Sequence, residues 1–435
     1  MNTFQEEEKI MWHQQVLTLD VKYNSHRFKN NQSIGMLYIR RRNKILHDYE
    51  KLNNYNIRLL YVKIRTELLR KRYGCINSDS TTTIDPTTTT INNINAKPKI
   101  NKKTTAECFA FAGVHHVFDQ HKSSITCLKF ANNDKSKLCC SSFDGTITIC
   151  DVKNKPPIII ANLSGHKKGV TSIDWSISND LIVSSSLDTT IRLWSINNYN
   201  KPICLRVVTD KFRCEILCCA FVPTNNNFVI TGNSHGLLEI LNISTGIYPR
   251  GGTVKIGGKI LALACEESGG NLVWAGNDRG IITSLKLDVG SGGLSKLRRI
   301  DGIGGTAAIT SLTWRAWLSR QSPSPTLLVS SACNTVSLYR VIDSQGSLGI
   351  CRKYPIKHRQ YLIRSTFCPQ MSACLIASGS EDGSIHLLDT SREGQAAQVN
   401  RLQGHSAPIL ALAFNYDESH LATGDHDGLV IIWRN

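Results

Sequence analysis

The segments Ile182-Val-Ser-Ser-Ser-Leu-Asp188-Thr-Thr-Ile-Arg-Leu-Trp194 and Leu421-Ala-Thr-Gly-Asp-His-Asp427-Gly-Leu-Val-Ile-Ile-Trp433 are two copies of one pattern. Each reads as an apolar strand, a tight turn and a second apolar strand ending in Trp. Each also follows a Gly-His pair, Gly165-His166 and Gly404-His405. Sliding that frame along the chain puts a turn residue at Asp144, Asp188, His235, Asp278, Cys333, Asp382 and Asp427. The gaps are 44, 47, 43, 55, 49 and 45 residues. A period in this range is that of a four-stranded blade, and seven blades close a ring. Residues 105–435 are therefore expected to form an all-β, seven-bladed propeller.

A second spacing supports the frame. Nine positions separate His121 from Phe130, His166 from Trp175, His358 from Phe367 and His405 from Phe414, in each case reaching the large apolar residue that ends the next strand. The units at His235, Asp278 and Cys333 lack both the His and the Trp, so period and strand pattern alone identify them. The last repeat stops at Trp433, which leaves its fourth strand missing. The stretch Phe109 to Phe118 belongs to no other blade, so it is expected to supply that strand and remove the open edge.

Within each complete repeat four side chains are expected to form a buried hydrogen-bonded chain. They are the His before the first strand, a Ser or Thr on the second, the turn Asp and the Trp ending the third. The full sets are His166, Ser184, Asp188 and Trp194, and His405, Thr423, Asp427 and Trp433; the partial sets are His358, Ser378 and Asp382, and His121 and Asp144. A Ser-His-Asp grouping resembles a hydrolase triad, but its recurrence in successive blades marks it as scaffold. Gly257-Gly258-Lys259 lacks the Gly spacing and the following Ser or Thr of a phosphate loop. His115-His116 has no further ligand at metal spacing, and adjacent strand residues point to opposite faces. No catalytic residue, metal, cofactor, small-molecule substrate or membrane span is expected.

Upstream of the repeats the chain changes character. Residues 1–75 read as a basic helical segment: Ile57, Leu60, Ile64 and Leu68 recur at helical spacing and Gly74 follows as a stop. Residues 76–104 are a Thr/Asn-rich, low-complexity stretch, expected to be a disordered linker. Of the chain's net charge of +17, residues 1–103 carry +10, from 19 Lys and Arg against 9 Asp and Glu. Arg40, Arg41, Arg42 and Lys44 form one cluster and Lys97, Lys99, Lys102 and Lys103 a second. Either suits a nuclear import signal or contact with phosphates. The start of the chain, with Glu6, Glu7 and Glu8, has no apolar leader, so the 15 cysteines are expected to be reduced thiols.

The Gly-His and Trp motifs, with strings such as Tyr38-Ile-Arg-Arg-Arg42, Phe109-Ala-Phe-Ala-Gly113, Asn242-Ile-Ser-Thr-Gly246, Trp274-Ala-Gly276 and Leu402-Gln-Gly-His-Ser-Ala-Pro408, resemble the WD-repeat (WD40) β-propeller family. That resemblance implies a nuclear, non-enzymatic scaffold that docks protein partners in chromatin or transcriptional regulation. Two alternatives stand beside it. One is direct binding of nucleic acid or chromatin through the basic N-terminus. The other is a substrate adaptor of a ubiquitin ligase, which the absence of Arg two residues after the Trp-Asp position disfavours: Trp194 is followed by Ser-Ile-Asn and Leu388-Asp389 by Thr-Ser-Arg.

Overall fold

The computed structural model describes residues 111–434, apart from 112, 133, 197–201, 267–270, 302–305, 316–324 and 370–374. The expected segments 1–75 and 76–104, with both basic clusters, lie outside the described residues.

Seven antiparallel sheets of four strands each make up the described chain. Their inner strands are Ile125–Phe130, Val170–Trp175, Ile216–Val222, Ile260–Cys265, Ile309–Arg315, Ser365–Phe367 and Ile409–Phe414, in blades 1 to 7. Each inner strand packs against the inner strands of both neighbouring blades, and the seventh packs against the first, which closes the ring. The fold is a seven-bladed β-propeller.

Six blades are built from four consecutive strands. Blade 7 takes three from the C-terminus and completes itself with Gly113–Phe118, which lies antiparallel to Val430–Arg434. Gly113 faces Arg434, Val114 faces Trp433 and Phe118 faces Val430, with a register slip between Val114 and His116. Just upstream, Phe111 is buried against Phe414, ring centroids 6.0 Å apart.

Burial follows the position of a strand in its blade. Second strands lie between neighbouring blades and are covered on both faces, so Leu181–Ser186 is buried from its second residue onward. Outer strands have one wet face, and Ile203–Thr209 alternates accordingly, leaving Ile203, Leu205 and Val207 exposed. The cores lie at the seams between blades: Cys127, Cys139 and Ile147 of blade 1 pack with Ile173, Trp175, Ile182 and Trp194 of blade 2. Each large apolar side chain buried in this way contributes roughly 1.5–3 kcal/mol.

The turn between second and third strands has one left-handed residue in every blade. It follows the expected turn position in six of them, at Gly145, Thr189, Gly236, Asn334, Gly383 and Gly428. In blade 4 it is Gly280, with φ +76°. The turn residue there is Arg279, one place beyond the expected Asp278, because only glycine adopts this conformation without strain and Gly280 fixes the register.

One irregularity recurs around the ring. In six blades the pairing of inner and second strands slips after the first inner residue, so Thr126, Thr171, Leu217, Leu261, Thr310 and Leu410 are bulged. Blade 6 has a three-residue inner strand without the slip, and Arg364 immediately precedes it, donating its backbone N–H to the Leu410 carbonyl at 2.9 Å. Among the described residues no helix is long and apolar enough to cross a membrane.

Candidate functional site

In blade 2, His166 stands on the loop between the outer strand of blade 1 and the inner strand Val170–Trp175. Its Nδ1 lies 2.9 Å from Asp188 Oδ2 and its Nε2 lies 2.8 Å from Ser184 Oγ. The Trp194 indole N–H donates to the same Ser184 Oγ at 2.9 Å. One assignment satisfies every group: Nδ1–H donates to Asp188, the Ser184 hydroxyl donates to Nε2, and Ser184 accepts from Trp194. Burial holds the His166 pKa below its ordinary value against the pull of Asp188, so the ring is neutral at pH 7. Burial pushes Asp188 upward, but hydrogen bonds from Thr190, the Lys167 N–H and His166 outweigh it and hold the carboxyl at about 2.

Blade 7 builds the same chain with one different member. His405 Nε2 lies 2.8 Å from Thr423 Oγ1, which also accepts the Trp433 indole N–H at 2.9 Å. His405 Nδ1, however, faces Asp425 Oδ2 at 2.8 Å and not the expected Asp427. Asp425 ends the buried second strand, and its other oxygen accepts the N–H groups of Asp427 and Leu429. Asp427 occupies the turn, and its side chain is 68% exposed beside His426.

Blade 1 keeps the His and Asp and changes the rest. His121 Nδ1 lies 3.1 Å from Asp144 Oδ2, and Nε2 lies 2.9 Å from Thr148 Oγ1 on the third strand. Cys140 and Cys150 occupy the positions of Ser184 and Trp194. The Cys140 thiol is held well above its ordinary range, first by its contact with Cys150 and then by burial, so it packs as a neutral thiol.

Blade 6 does not assemble the expected His358, Ser378 and Asp382. His358 Nε2 is 2.9 Å from the Tyr361 carbonyl, while Nδ1 is buried without a partner among the described residues. Ser378 donates to the Gly379 carbonyl, and Asp382 accepts from Ser384 and Arg401. Two local causes act together. Leu388 stands where an indole would donate to Ser378, and Glu381 Oε1 draws in the loop by accepting the N–H groups of Arg359, Gln360 and Tyr361.

Blade 3 holds a network that the sequence reading missed. Asp210, at the entry to the blade, accepts the N–H groups of Phe212 and Cys214 through Oδ2. Near it lies Glu239, 1% exposed on the third strand, with Thr253 Oγ1 donating to its Oε1 at 3.2 Å. Burial, then the Asp210 charge, raises the Glu239 carboxyl to about 7. The signal in the sequence was an acid inside Leu237-Leu-Glu-Ile-Leu241, where a buried strand calls for an apolar residue.

These groupings suit bracing and not hydrolysis. Ser184 and Thr423 are fully buried, and each hydroxyl is committed to a His and a Trp, so no acyl carbon can approach. His115 and His116 ring-pack on His420 and Phe118, and among the described residues no three His, Cys, Asp or Glu side chains form a metal-binding group. What the networks brace is one face of the ring, made of the loops entering the inner strands and the turns that follow the second strands.

Residues 113–151, 158–195 and 396–434 match the family "WD domain, G-beta repeat". Those stretches end on blades 1, 2 and 7, the three with a paired His and Asp. The chain is 26% identical to WD repeat-containing protein SL1-17 of Schistosoma mansoni over 144 residues, 32% of this chain and 46% of that one. It is 36% identical to human Pre-mRNA-processing factor 19 over 84 residues, 19% of this chain and 16% of that one. Against Serine-threonine kinase receptor-associated protein of Dictyostelium discoideum the identity is 25% over 319 residues, 72% of this chain and 96% of that one. The chain thus spans less than half the length of the first two relatives. It is a seven-bladed propeller containing WD40 repeats.

Proposed function

We propose that this protein is a nuclear scaffold whose propeller docks protein partners, in chromatin or transcriptional regulation, and that it catalyses no reaction. The observation that carries the reading is the internal commitment of its reactive side chains. The His, Ser, Thr and Asp groups of blades 1, 2 and 7 are spent on one another, and the result is a stiff ring with a broad loop face. A preorganised face loses little ordering entropy on binding. WD40 propellers serve typically as non-enzymatic interaction platforms, which supports the same reading. The strings at 38–42, 109–113 and 402–408 further support a likeness to WD repeat-containing protein 13, and the nuclear assignment follows from it and from the two basic clusters.

The test combines localisation with affinity capture. Changing Arg40, Arg41, Arg42 and Lys44 to Ala, alone and with Lys97, Lys99, Lys102 and Lys103, is expected to move the tagged protein toward the cytoplasm. Capture from nuclear extract is expected to recover the same partners with the full chain and with residues 105–435. Nuclear retention of the eight-residue variant would defeat the import assignment, and an empty capture would defeat the docking one. The charge of the first 103 residues favours a second reading, nucleic-acid binding. In that case the same substitutions weaken DNA binding across sequences and flatten its salt slope by up to about 0.9 for each phosphate no longer neutralised.

A further inference from the structure

Arg364 reaches across the ring. It leaves blade 6 at the entry to the inner strand, and its Nη2 donates to the Thr171 carbonyl of blade 2 at 3.2 Å, a residue 193 positions away in the chain. Blade 2 lies three blades from blade 6, so the guanidinium spans the central opening. Its charge is also felt at Cys218 on the inner strand of blade 3, where it opposes the upward push of burial on that thiol. Thr171 and Arg364 both stand at the N-terminal ends of inner strands, which places this bridge on the face braced by the His–Asp pairs.

A guanidinium has five N–H donors, and here one of them goes to a backbone carbonyl. Among the described residues no carboxylate lies within ion-pair distance of Arg364. The side chain is only partly buried, so part of it is open to solvent. At the same level of the ring the bulged residues are Thr126, Thr171, Leu217, Leu261, Thr310 and Leu410, none of them charged.

The surrounding loops are biased the same way. Lys122, Lys167, Lys168, Lys259, Lys357 and Arg359 are exposed on loops entering the inner strands, and none makes an ion pair among the described residues. The carboxylates of these loops and turns are largely committed inward. Asp144, Asp188 and Asp425 face histidines, and Glu381 faces three backbone amides. The exposed acids on this face among the described residues are Asp119, Glu215, Asp301, Asp382 and Asp427, and two of them, Asp301 and Asp382, are already paired with Arg299 and Arg401.

We propose that the mouth of the ring takes a carboxylate side chain of a partner peptide, with Arg364 as the residue that selects it. This rests on the docking reading above and names the chemistry of what docks. An Asp or Glu entering the opening meets the guanidinium at the level of the uncharged bulge residues Leu217 and Leu261, where a charge-assisted bond is stronger than in water. The exposed rings of Phe143 and Phe212 on the adjacent turn and loop offer purchase for apolar residues flanking that carboxylate. A phosphodiester chain needs cations along a track, whereas among the described residues at the level of the bulges Arg364 is the one cation, and the lysines stand farther out on the loops.

The probe is an array of octapeptides, each with one central Asp or Glu flanked by Leu, Val, Ala and Phe, printed beside copies carrying Asn or Gln instead. The full chain is expected to bind a subset of the acidic peptides at least tenfold more tightly than their amide copies. Arg364→Gln should lose that discrimination, and Arg364→Lys should retain part of it. Arg364→Glu should invert it on a matching array with central Lys or Arg. Thermal melts of all three variants confirm that they are folded, and the charge inversion reports on the site even if the Gln variant is less stable.

Equal binding of acidic and amide peptides by the wild-type chain would overturn the inference. So would discrimination that survives in Arg364→Gln. Arg364-dependent retention of single-stranded oligouridylate without any preference among the peptides would overturn it in favour of nucleic acid. If partners captured from nuclear extract are unchanged by Arg364→Gln, the docking reading stands and the assignment of Arg364 falls; an empty capture with the wild-type chain sinks the docking reading itself.

Discussion

Asp425 Oδ2 lies 2.8 Å from His405 Nδ1, with both side chains withdrawn from solvent, while Asp427, two residues along, points outward. Replacing Asp425 by Ala leaves His405 Nδ1 without its acceptor and strips two N–H groups of the turn of theirs. The expected loss is roughly 3 kcal/mol. Asp427→Ala is expected to stay within about 0.5 kcal/mol of the parent. Chemical denaturation of the two variants decides between them, and a larger effect at Asp427 would show that the turn carries the blade.

The pairing of Gly113–Phe118 with Val430–Arg434 gives the second prediction. A chain beginning at residue 122 leaves the edge of blade 7 open and exposes Ile432 and its neighbours. It should melt well below a chain beginning at residue 105, or fail to remain soluble. Superimposable melting curves would mean that the outer strand adds nothing to closure.

Glu239 makes stability depend on pH in a fixed direction. Its carboxyl is raised to about 7 in the folded chain, chiefly by burial, and unfolding returns it to roughly 4.3. The unfolded chain therefore gives up its proton first as pH rises. This contribution is full below about pH 4.3 and is lost as the pH climbs through 7. Glu239→Gln should flatten that part of the profile and gain roughly 1–3 kcal/mol at pH 8 relative to the parent. Urea midpoints from pH 4 to pH 8 provide the measurement, and parallel profiles for the two chains would count against it.

Thr189 adopts φ +68° at the turn of blade 2, where blades 1, 3, 4, 6 and 7 have glycine. A β-branched residue is strained there by roughly 1–2 kcal/mol. Thr189→Gly is expected to raise the denaturation midpoint by about 1 kcal/mol, the relief exceeding the entropy cost of glycine. A lowered midpoint would show that the Thr189 carbonyl, which accepts the Asp210 N–H, depends on the side chain's restriction of the backbone.

The sequence made the ring legible because blade geometry repeats. Gly165-His166 and Trp194 mark a local arrangement, and the 43- to 55-residue spacing carried the frame through blades without those residues. In blade 7 the spacing points to Asp427, because the frame counts to the turn and not to the end of the strand. Asp425 and Asp427 are two apart and differ only in that one ends a buried strand and the other occupies the turn. In blade 6 the frame held while the bonding changed, because Leu388 cannot donate and Glu381 competes for the loop. The Asp210 and Glu239 grouping followed no repeat. Arg364 was invisible for another reason: its partner is 193 residues away and is a backbone carbonyl, which no side-chain motif records.

The outer strand of blade 7 also sets a clock. During synthesis Gly113–Phe118 emerges long before Val430–Arg434, and at about 5–20 residues per second the interval is roughly 15–60 s. For that time Val114, Val117 and Phe118 form an apolar ribbon whose destined neighbour does not yet exist. The six blades between them can stack in turn, but none can offer this ribbon the register it needs. A nascent chain held by one of its earliest strands is exposed to the wrong edges, including those of another ribosome's product. Completion of the ring is therefore as much a matter of keeping that strand unclaimed as of making the last one.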